Sequence, residues 1–138
     1  VTNILILNGH GGNVKPLMRR IDEYRDKLNI NLRFQSYWDV YDHEFVQEYM
    51  EKGHLPGHAD EYETSTMLYL DPNRVQIDAI DNESAALGRR EKGEAMIEPA
   101  IQGVVSLLED MMSGTKINLP TVTFTPEGKR NLVTGAPT

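Results

Sequence analysis

The run Ile4-Leu5-Ile6-Leu7, followed at once by Asn8-Gly9-His10-Gly11-Gly12-Asn13, constrains this chain most. An unbroken apolar run reads as a strand buried on both faces, the habit of parallel sheets. The glycines behind it let the backbone turn sharply and approach a ligand closely. An amphipathic stretch follows, so the segment predicts a strand–loop–helix junction. His10 then projects from the carboxyl end of the strand, beside the electropositive start of a helix. In open α/β sheets that edge is where ligands bind. Taken alone, the same motif also reads as a turn with a hydrogen-bonded imidazole, or as a phosphate cradle.

The remaining pattern predicts an α/β fold, layered α/β/α with a mainly parallel sheet. Asn13 can cap a helix reaching residue 28, with Leu17, Ile21, Tyr24 and Leu28 on one face and Pro16 in its first turn. Residues 31–38 alternate apolar and polar side chains and read as a strand. A short helix is expected over 41–51, a loop over 53–57 that is either a lid or a plain connection, and a helix over 60–70 that Pro72 terminates. A short strand is expected over 75–80. Residues 82–112 read as largely helical, with Ile97, Ile101, Val104, Val105 and Leu108 as the apolar face and a kink or interruption at Pro99. Beyond Ser113-Gly114 only Thr121 to Phe124 looks strand-like, and the tail over 115–138 is expected to be peripheral or partly disordered.

At 138 residues, with 39% hydrophobic and 25% charged content, the chain can bury one real core and is too short for two. A net charge of −7 argues against nucleic acid or an acidic membrane surface as partner. No apolar run approaches the roughly 20 residues that span a bilayer, and the start does not have the pattern of a signal peptide. The absence of cysteine removes disulfides, thiolate metal sites and cysteine nucleophiles together, and fits a cytoplasmic location. Any metal must therefore be bound by His, Asp or Glu. The sequence enters a buried-looking strand almost immediately, which reads as a chain starting mid-domain.

A second motif lies about fifty residues on: Gly57-His58-Ala59-Asp60-Glu61-Tyr62-Glu63-Thr64-Ser65. It places His58 at the end of a loop and Glu63 one and a half helical turns later, so the two can share a pocket while Asp60 caps the helix. Without thiolates, imidazole and carboxylate are the usual ligands of zinc, manganese or iron. A histidine beside a metal-bound water also makes a proton shuttle. The plainer readings are an acidic first turn on a solvated helix, Tyr37 and Trp38 as core rather than ligand platform, and solvent-exposed His43 and His54.

Together the two motifs resemble the creatininase (creatinine amidohydrolase) family, which includes metal-dependent formamide hydrolases and peptide-processing relatives. The resemblance extends to Ser36-Tyr37-Trp38, to Met67-Leu68-Tyr69-Leu70-Asp71-Pro72 and to Glu91-Lys92-Gly93-Glu94-Ala95, covering residues 2–112. It implies a homo-oligomeric, metal-dependent hydrolase of a small cyclic or formyl-type amide. In that pattern His10 is a metal ligand of a two-metal centre. His58 helps activate or protonate at the scissile amide, and Glu63 binds metal or holds the water. Gly11, Gly12 and Trp38 are the implied substrate contacts.

The chain also departs from the pattern. Creatininase proper has a metal-binding glutamate at the position of Gly12 and a tyrosine at that of Gly11, and a tryptophan–aspartate pair where this chain has His54 and Leu55. Creatinine is thereby disfavoured as substrate. The family's further ligands, a glutamate, a histidine and a bridging aspartate, come from an N-terminal segment with no counterpart before Asn8. The expectation is that residues 1–114 are the C-terminal portion of a creatininase-like domain and that the N-terminal half is a separate chain, lost or omitted. A non-catalytic half-domain acting as a binding or scaffolding subunit is the alternative. A phosphate- or nucleotide-binding module is a weaker one, because the P-loop lysine and the Gly-x-Gly-x-x-Gly spacing are both absent.

Overall fold

The computed structural model describes residues 2–52, 55, 57–114, 121–124 and 130–133. Strand β1 (Asn3–Asn8) leads through a 3-10 turn at Gly11–Asn13 into helices α1 (Val14–Met18) and α2 (Ile21–Leu28). Strand β2 (Asn31–Ser36) returns parallel to β1, with Asn3 opposite Asn31 and Asn8 opposite Ser36. The expected strand–loop–helix junction and parallel pairing are both present. The sheet that they form has two strands, β1 and β2, smaller than the layered α/β/α sheet expected.

The single helix expected up to residue 28 is two helices. Arg20 leaves helical geometry (φ −123°, ψ −3°), which re-aims the chain so that Ile21 is buried at 3% exposure and α2 packs on β2. Asn29 ends α2 in the left-handed conformation, at φ 49°. Arg25 ties the helix to the sheet, its Nε donating to the Leu32 carbonyl at 2.6 Å.

Strand β2 ends at Ser36, two residues early, because the Asp39 carboxylate takes the Ser36 N–H at 2.9 Å and Tyr37–Val40 close into a 3-10 turn. Helix α3 (His43–Tyr49) is capped by Asp42, whose Oδ1 accepts from the Phe45 N–H at 2.8 Å. The side chain of His43 and the whole of His54 lie outside the described residues, as does most of the loop expected over 53–57.

Helices α4 (Glu61–Leu70) and α5 (Arg90–Met112) form the other half of the molecule. Between them the strand expected over 75–80 is replaced by 3-10 turns at Pro72–Arg74 and Ile77–Ala79. Its N–H groups close locally, Ala79 onto the Gln76 carbonyl at 2.9 Å and Ile80 onto that of Ile77 at 3.2 Å. Helix α5 starts at Arg90, later than residue 82, and runs through the exposed Pro99 without the interruption expected there.

The buried face of α5 is also displaced from the expected one. Gly93, Met96, Ala100, Leu107 and Met111 are buried, whereas Ile101, Val105 and Leu108 are exposed at 47%, 43% and 43%. Close approach decides this. A methyl placed on Gly93 would lie 2.0 Å from the Ser65 carbonyl oxygen, and one on Gly103 would lie 2.3 Å from Val40 Cγ1. Small residues let α5 come near its neighbours, and the larger apolar side chains one position round are left outside.

The core gathers Trp38, Tyr41, Val46, Leu55, Tyr62 and Met96, with β2 and α2 packed on it. In the tail, the expected strand at Thr121–Phe124 is present as β3, paired antiparallel with β4 (Arg130–Val133); the rest of 115–138 lies outside the described residues. Among the described residues no helix is long and apolar enough to cross a membrane.

Candidate functional site

The glycine loop is organised around Asn8, the last residue of β1, which is 4% exposed. Its side-chain Nδ2 donates to Ser36 Oγ at 2.9 Å across the pair of strand ends. Its Oδ1 accepts from the His10 N–H and from Asn13 Nδ2, both at 3.2 Å. Asn13, expected to cap a helix, makes no side-chain cap bond and closes the loop instead, aided by its N–H on the His10 carbonyl at 3.1 Å. One buried amide thus locks two strand ends and a five-residue turn together.

His10 emerges from this turn in extended conformation (φ −140°, ψ 123°) and is exposed, as are Gly11 and Gly12. Its imidazole lies against Gly12, where a methyl group would come within 2.7 Å of His10 Nε2. Only the five-residue α1 follows, so the helix dipole behind the loop is short, and the electropositive helix start invoked from sequence is correspondingly weak.

The second motif heads α4. Asp60 is the expected cap: its Oδ1 accepts from the Tyr62 N–H at 3.1 Å and the Glu63 N–H at 3.3 Å. The Gly57 backbone lies so close that a methyl there would sit 1.3 Å from Asp60 Oδ2. Glu63 is half-buried, and its Oε2 accepts the Ala59 N–H at 2.5 Å. Ala59 itself is left-handed, φ 45°, and its carbonyl accepts from Asn82 Nδ2 at 3.1 Å. His58, exposed, directly precedes this clamped residue.

Tyr37 reaches the second motif from the end of β2. It follows Ser36 at the strand end, its ring stacks on Tyr62 with centroids 5.8 Å apart, and its hydroxyl feels the carboxylates of Glu63 and Asp60. Burial pushes the Tyr37 phenol above its ordinary range; the Tyr62 hydroxyl acts the other way, and the two acids push it further up. Tyr37, just past the end of β2, therefore packs on the first turn of α4. Trp38, the expected substrate contact, is 2% exposed and lies in the core behind Tyr37, their rings edge to face at 5.1 Å.

Asn82 lay outside every motif, while Asn8 and Tyr37 lay inside quoted motifs without being given a role in the site. Tyr37 carried a usable signal, as a polar aromatic directly after a strand end that also bears a motif.

The acids here are engaged in local structure. Among the described residues no group of three or more His, Asp or Glu side chains is arranged to hold a metal ion. Catalytic sites of this kind take three protein ligands and an open position. The donors that the described residues present, His10 on its loop and Glu63 already on the Ala59 N–H, do not by themselves fit one.

No curated protein and no solved structure matches this chain. The family model Creatininase, described as creatinine amidohydrolase, matches residues 1–106, which takes in both motifs, β2 and most of α5. The chain belongs to the creatininase family.

Proposed function

We propose that this chain supplies the acid–base groups of a creatininase-type hydrolase acting on a cyclic or formyl-type amide. The observation that carries this reading is the family match across both motifs, with Tyr37 stacked on Tyr62 of the second. His58, exposed at the head of α4, takes a proton from the attacking water and passes it to the leaving nitrogen as the C–N bond breaks. Glu63 orients the attacking water through the oxygen that does not hold Ala59. The backbone of Gly11 and Gly12, open to solvent, receives the developing oxyanion, and Trp38 backs the substrate wall from behind Tyr37.

His10, with Glu63, is proposed to contribute to a divalent site for zinc, manganese or iron. Its remaining donors come from outside the described residues. The open side of β1 supports this. β1 pairs only with β2 among the described strands, and Ile4 and Leu7 on it are exposed at 38% and 51%. A further segment covering that side, from another chain or from a second copy in a homo-oligomer, would bury those side chains and bring donors to His10. The working enzyme is placed in the cytoplasm, without nucleic-acid or membrane partners.

The test is turnover of cyclic and formyl amides by the purified assembly, with metal content measured alongside. His58→Ala is expected to lower kcat by ~10²–10⁴-fold, and His10→Ala to lower bound metal. Unchanged hydrolysis in both variants overturns the proposal. An assembly that neither binds metal nor turns over any amide would instead leave a binding or scaffolding role.

A further inference from the structure

We propose that Glu61 and Lys92 are positioning residues that hold the backbone at Glu51, Lys52 and Ala59, so that α4 and α5 together set where the adjacent His58 stands; its consequence for turnover rests on the amide-hydrolase reading above. Glu61 is 0% exposed, although it lies in the first turn of a helix where a solvated acid would serve as well. A carboxylate so buried is stable only when fully bonded. Its oxygens accept the N–H groups of Glu51 and Lys52, each at 3.0 Å, and the Lys92 ammonium at 2.5 Å. Two of those partners are backbone groups just after α3, at the start of the connection to α4.

The other end of the connection is tied to the same turn. Glu63 holds the Ala59 N–H at 2.5 Å and Asn82 holds the Ala59 carbonyl at 3.1 Å. Between the two ends Leu55 is buried at 0% exposure. Ala59 keeps its left-handed backbone only because its surroundings hold it there. Lys92 adds a second element to the clamp. It is rooted in α5 beside Gly93, whose contact with the Ser65 carbonyl sets the spacing of the two helices, and it also donates to Glu51 Oε1 at 2.9 Å and the Leu87 carbonyl at 3.1 Å. His58 is thus placed by the packed α4–α5 pair through its neighbours, without a bond of its own to Glu61 or Lys92 among those described.

Glu61→Gln tests this without needing activity. Glutamine keeps the volume and one acceptor oxygen, and Lys92 keeps Glu51 and the Leu87 carbonyl, so the cation is not stranded. Amide hydrogen exchange should quicken about tenfold or more at Glu51, Lys52 and Ala59, with a displaced His58 amide resonance, while Met96 and Ala100 stay protected. Ala59 is the decisive reporter, because its acceptor is Glu63 and is not altered. Acceleration confined to Glu51 and Lys52, with Ala59 and His58 unmoved, overturns the proposal; so does uniform acceleration that includes Met96. Should Glu61→Gln fail to fold, Lys92→Arg must keep the wild-type pattern and Lys92→Gln must loosen Ala59; equal behaviour of the two also overturns it. In a turnover assay the loosened variants should lose kcat with KM unchanged. A wild-type assembly that hydrolyses no amide would defeat the functional reading alone, since the exchange pattern stands or falls separately.

Discussion

β1 and β2 lie side by side, and their sequences and surroundings are crossed. β1 reads Ile-Leu-Ile-Leu yet leaves Ile4 and Leu7 exposed; β2 reads Asn-Leu-Arg-Phe-Gln-Ser yet buries Arg33 at 3% and Gln35 at 8%. Two polar side chains of β2 have partners built in: Gln35 Nε2 donates to Asp39 Oδ2 at 3.2 Å, and Asn8 bridges to Ser36. Among the described residues the apolar strand pairs along one edge only, with β2. One region is finished within the described residues and the other is not. Tyr37 directly follows the buried strand and His10 lies just beyond the exposed one, while His58 and Glu63 stand at the head of α4.

Truncation should expose this contrast. Phe34→Ala, removing a side chain 4% exposed on β2, is expected to cost ~3–5 kcal/mol in urea unfolding. A cost under about 1 kcal/mol would mean that the region around β2 is looser than its burial implies.

A smaller effect is expected within the ring cluster over α4. Burial pushes the phenols of Tyr62 and Tyr41 above their usual range, as it does that of Tyr37, and neighbouring phenols push Tyr62 further. Groups raised in this way favour the folded state fully below the ordinary phenol value near 10, and lose that contribution as pH climbs past it. The Tyr62 hydroxyl is buried without a hydrogen bond of ordinary geometry. Tyr62→Phe should therefore change stability at neutral pH by no more than ~1 kcal/mol and flatten the alkaline fall in urea midpoint. An alkaline limb identical to wild type would remove Tyr62 from the account.

The smallest change is expected from Leu7→Ala, half-exposed on β1, at up to ~0.5 kcal/mol for the chain alone. A loss approaching that of Phe34→Ala would show that the open side of β1 is covered in solution. Comparing that loss in the chain and in its assembly would sharpen the contrast between the strands.

Local signals were legible in the sequence where the cause was local. Asp60 caps α4 as its spacing predicts, the glycine loop follows β1, and β1 pairs parallel with β2. Longer-range causes were not. The break at Arg20, the burial of β2 and the displaced face of α5 depend on which neighbour approaches, and Gly93 marks that approach only once Ser65 is known to lie beneath it. In the site, Glu61 looked like one acid of a solvated turn. Its burial depends on Lys92, thirty-one residues away, and on backbone donors ten and nine residues before it, spacings no helical pattern encodes.

The bare backbone at Gly12 sets the resting place of the ring at position 10. Any branch grafted onto that glycine must first evict the imidazole now leaning on it. Restoring an acidic donor there by a single substitution would therefore relocate the donor already present. A donor placed at position 12 would set the imidazole in a new position as well.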